Sequence, residues 1–294
     1  MNTEYLKQYN KVLVIGHLTP DTDTITSSYI LSKIFKSFGI NSDYAVLETE
    51  KINSKTAKQL NEVMTYSPFI LKESEIKNYH YFLVDHNDVS QSVKDASLVV
   101  GCIDHHPDSK QIPNAIIKDF CSTTLLIYDL FKDIYNFTDE DKKVIYMGAL
   151  DDSACGFSPR YNDKAKKQIL ELGFDNYLKD KFEDYYIPTD LSDLDLAFNK
   201  ARLKKYSFDD DINFKSTGIE AFDDNHKEEY KNFIKNQNEN FLGLWLNYKT
   251  ETSTVYLNYD HQFYQKDFNH IVSRGSEIID LILNFIRSNK WKNY

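Results

Sequence analysis

Four short segments carry the side chains from which a reactive centre could be assembled. They are Gly16-His17-Leu18-Thr19-Pro20-Asp21-Thr22-Asp23, Asp85-His86-Asn87, Asp104-His105-His106-Pro107 and Asp151-Asp152. Carboxylate oxygens and imidazole nitrogens together suit Mn, Fe, Co or Zn, whereas oxygen-only sets suit Mg. About four aspartates and two histidines at strand ends could hold two cations. Two cations roughly 3.5–4 Å apart can share a bridging nucleophile and clamp an in-line displacement at phosphorus. They also lower the pKa of bound water and supply hydroxide near neutral pH. Taken singly, an aspartate at a strand end is usually a helix cap or turn residue. Four such clusters at the ends of separate elements point instead to a metal site. Asp151-Asp152 carries the least weight, because paired aspartates are common in acidic loops.

Such residues need a frame that gathers strand ends. Lys11–Gly16 (KVLVIG) is a short β-rich run ending in glycine. From Ile25 to Gly39 the apolar residues recur at helical spacing. Tyr44–Leu47, Tyr81–Val84 and Leu98–Ile103 are further apolar runs, and the last two end directly at Asp85 and Asp104. Runs that are apolar throughout fit strands buried on both faces. Interleaved with helices, they predict an α/β fold with a mostly parallel sheet. In such sheets ligands bind beyond the carboxyl ends of the strands. Helices are expected over Thr123–Lys132, Asp139–Leu150 and Asp163–Leu172, with a loop from Asp151 to Asn162. The stretch Tyr185–Asp190 marks a boundary, giving domains 1–186 and 187–294. The second domain has apparent strands at Gly218–Phe222, Leu242–Tyr248 and Thr254–Leu257 and a closing helix over Ser276–Ser288. It reads as a smaller α/β domain.

The 294 residues are enough for two domains, and 41% hydrophobic with 27% charged residues is an ordinary globular balance. The net charge of -10 argues against a nucleic-acid partner held by a broad basic surface. It does not argue against a small anionic substrate, because bound divalent cations reverse the local field. Cys102, Cys121 and Cys155 are odd in number and widely spaced, so neither a disulfide framework nor a CxxC metal site is indicated. The polar start MNTEYLKQYN lacks a signal-peptide core, and no apolar stretch is long enough to span a membrane. The expectation is a cytoplasmic chain with no membrane and no nucleic-acid partner.

The segments GHLTPDTD, VDHNDVSQSV, DHH and DDSACGFSP closely resemble the motifs of the DHH phosphoesterase superfamily. Within it they are most similar to the family II (manganese-dependent) inorganic pyrophosphatases. Asp85-His86-Asn87-Asp88 with Gln91-Ser92 resembles that branch's DHNE…QS segment. Cys121-Ser122-Thr123-Thr124 resembles its small-residue segment before the next helix. Asp152 with Ser158-Pro159 resembles its D-T-…-S-P element, which favours Asp152 over Asp151. The resemblance is strong over residues 11–165. Beyond them it is to a DHHA2-type C-terminal domain, through Ser273-Arg274.

The resemblance implies manganese-dependent hydrolysis of pyrophosphate to two phosphates by a hydroxide held between two metals. Two Mn²⁺ ions are implied, with Co²⁺ or Mg²⁺ as alternatives and a further Mg²⁺ entering with substrate. One ion would be held by His17, Asp21 and Asp85, the other by Asp23, Asp85, His105 and Asp152, with Asp85 bridging. Asp104 would orient an imidazole. His106 would face the substrate as electrophile or proton donor. Arg274 and one of Lys204 and Lys205 would grip phosphates from the second domain. A homodimer through the N-terminal sheet edge is expected by analogy.

One departure bears on the substrate. The family's late motif reads Ser-Arg-Lys-Lys-Gln, and here it is Ser273-Arg274-Gly275-Ser276-Glu277. Losing one charge-assisted hydrogen bond to phosphate costs about 1.5–3 kcal/mol, roughly ten- to hundredfold in transition-state binding. Short-chain exopolyphosphatases and nucleotide-polyphosphate phosphohydrolases share the architecture, and a relaxed clamp suits a longer polyphosphate.

Overall fold

In the computed structural model, residues 3–50, 52, 54–108, 112–156, 158, 160–173, 204–208, 212–272 and 276–288 are described. The chain separates into two compact units, Met1–Asp180 and Lys181–Tyr294. The expected boundary between residues 186 and 187 lies outside the described residues.

The first unit is built on six strands: β1 Val12–Ile15, β2 Ser42–Leu47, β3 Phe69–Leu71, β4 His80–Val84, β5 Val99–Asp104 and β6 Ala115–Ile117. They lie in the order β3-β2-β1-β4-β5-β6, and every neighbouring pair is parallel. Leu13, Ile15, Tyr81, Leu83 and Cys102 contribute to one buried face. On the other, Phe82 meets Phe35 edge to face with ring centroids 5.1 Å apart. Such a pair adds about 0.5–1.5 kcal/mol to the burial of its area. Both faces are covered, which is why β1 and β4 read as unbroken apolar runs rather than alternating ones.

The helices are α1 Thr22–Ser37, α2 Ser54–Val63, α3 Thr123–Phe131, α4 Asp139–Asp152 and α5 Asp163–Leu172. Helix α1 starts where the Asp21 carboxylate accepts the Thr24 N–H at 3.0 Å. It stops before Gly39, whose φ of 77° only glycine adopts freely. Helix α4 packs closely on α1 and α3 at Gly148. A methyl group there would collide with the hydroxyls of Thr26 and Thr124.

Helix α4 corrects one expectation. Asp151 and Asp152 are not in a loop but in its last turn. Carboxylates at a helix C-terminus oppose the backbone dipole, which is why the pair reads as loop. Here each faces a partner from elsewhere: Lys55 at 2.7 Å from Asp151, and His105 at 3.1 Å from Asp152.

The second unit holds a separate sheet of β7 Lys204–Phe208, β8 Ile212–Ala221, β9 Phe241–Asn247, β10 Thr252–Tyr259 and β11 Gln262–Phe268. Its order is β11-β10-β9-β8-β7, with β8 and β9 parallel and the other pairs antiparallel. Helix α6 (Lys227–Lys235) packs on it through Tyr230, whose hydroxyl donates to Thr217 O and accepts from Leu244 N, each at 3.0 Å. Helix α7 spans Ser276–Ser288. A smaller α/β unit after the parallel one is as expected, with edge strands β7 and β11 added.

Candidate metal centre

In the first unit the strand order reverses at β1, with β2 and β3 on one side and β4 to β6 on the other. At such a switch point the connections leave in opposite directions, and a crevice opens at the carboxyl ends. Ile15 of β1 pairs with Leu83 of β4, so those two ends lie side by side. His17 is two residues past one end, Asp85 is the first past the other, and Asp104 is the last residue of β5.

Asp85 occupies the middle. Its φ of 62° is left-handed, a conformation that costs most residues about 1–2 kcal/mol and that aspartate tolerates best after glycine and asparagine. Its backbone N–H still donates to Ile103 O at 3.2 Å. Both carboxylate oxygens accept a hydroxyl: Oδ2 from Thr24 at 2.6 Å, Oδ1 from Thr123 at 3.2 Å. Each oxygen also faces a histidine, with His17 Nε2 at 3.5 Å from Oδ2 and His105 Nε2 at 3.4 Å from Oδ1.

The other aspartates converge on the same place. Asp21 caps α1 with Oδ1 and turns Oδ2 to within 3.6 Å of His17 Nε2. The cap reading is thus correct for this residue without excluding a second use. Asp23 is fully buried and accepts two backbone N–H groups from the start of α3, from Thr123 at 2.7 Å and Thr124 at 3.0 Å. A helix N-terminus is a natural counterpart for an anion. The Thr124 hydroxyl donates to it as well. His105, whose side chain is wholly buried, donates Nδ1–H to Phe120 O at 3.1 Å, which leaves Nε2 as the nitrogen that faces the carboxylates and would be open to a cation.

Three groups of ligand atoms result, each within 4.8 Å of one another: His17, Asp21 and Asp85; Asp23, Asp85, His105 and Asp152; and Asp85, Asp104, His105 and His106. Asp85 belongs to all three. In the third, the Asp104 oxygens are already taken. Oδ1 accepts from His106 N at 3.1 Å and from His106 Nδ1 at 2.9 Å, and Oδ2 accepts from Asn87 Nδ2 at 2.5 Å. Asp104 therefore fixes His106, the more exposed of the pair at 36% of its side chain.

The electrostatics fit a cation. Burial raises the pKa of Asp23 and Asp152 well above the usual carboxylate range, and the neighbouring Asp85 adds to both shifts. Burial disfavours charge on Asp85 too, but hydrogen bonds to His105 and His17 hold its pKa well below the usual value. Burial works against a proton on His17, yet Asp21 and Asp85 outweigh it and raise its pKa well above normal. Without a cation, protons take up the excess negative charge. The donors are carboxylate and imidazole, the set that Mn²⁺ and its neighbours in the first transition row accept.

His86 stays outside this set. Its ring is held by Val84 O and Ser92 Oγ at 2.9 Å each, and burial lowers its pKa to about 4. Asp151 likewise faces away from the cluster, toward Lys55 and toward Gln59, which donates to it at 3.0 Å. Thr24, Lys55, Gln59 and Arg160 were not legible as site residues, because single hydroxyls, amides and cations carry no spacing pattern. Arg274 lies outside the described residues, and Lys204 and Lys205 are described only as backbone of β7.

An α/β unit with carboxylates and imidazoles gathered at its switch point has a donor set that could hold metal ions. More particularly, residues 11–156 match the DHH family, N-terminal domain. Among curated relatives, a probable manganese-dependent inorganic pyrophosphatase of Streptococcus equi subsp. zooepidemicus is 28% identical over 173 residues, 55% of each chain. One of Streptococcus pyogenes serotype M5 with the same name is 30% identical over 132 residues, 42% of each chain. The chain thus spans about half the length of the curated relatives it matches. Among solved structures, a Methanococcus jannaschii protein assigned as a family II inorganic pyrophosphatase superposes with a TM-score of 0.71 at 19% identity, covering 92% of this chain and 97% of that one. An exopolyphosphatase-related protein of Bacteroides fragilis gives 0.53 at 18% identity, covering 87% and 81%. Both likenesses are of fold. Among the described residues no helix is long and apolar enough to cross a membrane.

Proposed function

We propose that this chain is a manganese-dependent phosphoanhydride hydrolase with inorganic pyrophosphate as its substrate. The observation that carries the reading is Asp85, one carboxylate shared by the His17–Asp21 group and the Asp23–His105–Asp152 group. A shared carboxylate is what a pair of cations needs to sit close together. Held by His17, Asp21, Asp85, Asp23, His105 and Asp152, two cations would lower the pKa of water and neutralise charge at phosphorus. The chain's own residues do the rest. Thr24 and Thr123 hold Asp85 in register, the start of α3 holds Asp23, and Asp104 aims His106 at the open side as donor to a phosphate oxygen or leaving group. The names of the curated relatives support manganese and pyrophosphate.

A second reading, hydrolysis of a longer polyphosphate or a nucleoside polyphosphate on the same centre, is favoured by Gly275 and Ser276 where the family has lysines. The test is phosphate release from pyrophosphate, tripolyphosphate and a nucleoside tetraphosphate during a Mn²⁺ titration. Release from pyrophosphate is expected. Release only from the longer substrates overturns the first reading in favour of the second, and release from none overturns both.

A further inference from the structure

The first unit holds a cation that the metal assignment leaves without a task. Arg160 lies in the turn between Ala154–Gly156 and α5. The turn is well tied. Arg160 N donates to Ser158 Oγ at 3.3 Å and Tyr161 N to Ser158 O at 2.9 Å. Asn162 N donates to Arg160 O at 2.9 Å, and Asn162 then caps α5 by accepting from Ala165 N at 3.1 Å. From this base the guanidinium reaches back to the cluster. Its Nη1 lies 3.4 Å from Nε2 and 3.5 Å from Nδ1 of His105.

Neither ring nitrogen is a ready acceptor for it. Nδ1 carries the proton given to Phe120 O, and Nε2 faces Asp85 and Asp152. Among the described residues Arg160 makes no ion pair with a carboxylate. A guanidinium offers a planar fork of donors matched to carboxylate or phosphate, and it stays charged throughout the working pH range. Beside a centre loaded with divalent cations it would be repelled, unless an anion lay between them. The anion that the hydrolase reading brings to this place is a phosphate group.

We infer that Arg160 contacts the substrate, donating to an oxygen of the phosphoanhydride held at the His105 side of the cluster. The inference rests on the hydrolase reading and adds a phosphate grip supplied from within the first unit. It also offers a cation where the late motif has lost two.

The experiment compares the full-length chain with Arg160→Gln and Arg160→Lys. Manganese content and melting temperature are measured first. Binding of the non-hydrolysable analogue imidodiphosphate to the Mn²⁺-loaded chain follows by calorimetry, and then kcat and KM on the best substrate. Arg160→Gln is expected to keep its manganese and its melting temperature. Its Kd for imidodiphosphate should rise about ten- to hundredfold, with a matching fall in kcat/KM. Arg160→Lys should recover part of the loss, because it keeps the charge but not the fork. An unchanged Kd in Arg160→Gln overturns the inference, and so does a raised Kd that comes with lost manganese, which would make Arg160 a positioning residue for His105. The two readings separate cleanly. A chain that hydrolyses nothing yet loses analogue binding in Arg160→Gln sinks the hydrolase reading and keeps this one. A chain that hydrolyses substrate equally well with either residue does the reverse. No analogue binding by the unaltered chain overturns both.

Discussion

Replacing Asp85 with Asn separates the metal role of this residue from its role in folding. Without a cation the Asp85 carboxylate is held ionised by His105 and His17, while Asp23 and Asp152 take up protons. Asparagine keeps the shape and removes that one charge, and the hydroxyls of Thr24 and Thr123 can still donate to its carbonyl oxygen. A carboxylate whose pKa is lowered by folding stabilises the fold while ionised, so in a chelator at neutral pH Asp85→Asn should melt lower than the unaltered chain. With Mn²⁺ the gap should widen. A ligand at a hundred times its Kd stabilises by about 2.7 kcal/mol, so two sites sharing Asp85 give about 5 kcal/mol. At 2–4 °C per kcal/mol for a unit of this size, the unaltered chain should gain about 10–20 °C and Asp85→Asn almost nothing. Thermal melts by circular dichroism, with and without Mn²⁺, read both differences, and metal analysis of the desalted proteins gives the stoichiometry. A full Mn²⁺-induced rise in Asp85→Asn refutes the bridge. For the folding half of the argument, a variant that melts higher than the unaltered chain in chelator refutes the stabilising role of the Asp85 charge.

The adjacent aspartates of α4 should part company. Asp152→Asn should lose bound manganese and activity, while Asp151→Asn should remove the charge facing Lys55, only 12% exposed, and cost on the order of 1–3 kcal/mol in a denaturant melt with activity within tenfold. Glu50 supplies a pH signature. Its Oε1 is buried with no hydrogen-bond partner among the described residues, and burial raises its pKa from 4.5 to about 7. A folded-state pKa above the unfolded one contributes stability below about pH 4.5 that is lost as the pH rises through about 7. Glu50→Gln should therefore flatten the stability profile across that window and melt higher than the unaltered chain at pH 8, by about 1–3 kcal/mol; identical profiles would exclude a buried, shifted carboxyl. His106→Ala should lower kcat by about 10²–10⁴ with manganese content unchanged. Lost manganese would place His106 among the ligands instead.

What could be read from the chain divides by the range of the interaction. The strands β1, β4 and β5 were legible because burial on both faces leaves an unbroken apolar run, and Asp85 and Asp104 were legible because each run stops on them. The three-residue strands β3 and β6 were not, since three residues establish no period. The end of α4 was misplaced for a related reason. Local preference puts acidic residues outside a helix C-terminus, and the partners that overrule it come from across the fold: Gln59, 92 residues from Asp151, Lys55 farther still, and His105 beside Asp152.

The same division runs through the centre itself. Ligand types are a matter of residue identity and can be read directly, whereas ligand orientation is set by contacts across the fold. The Thr24 hydroxyl reaches Asp85 over a separation of 61 residues, and the start of α3 reaches Asp23 over 100. Those contacts are also what lets three acidic groups share one buried space. Hydroxyl and N–H donors satisfy the carboxylates from behind, so their open sides turn toward one another and toward His17 and His105. Repulsion among them is then greatest at one point, and a divalent cation relieves it better than a proton does because it can be shared by several oxygens at once. The donors that shape the centre are thus the residues least visible in the sequence, while the carboxylates and imidazoles they orient are the most visible.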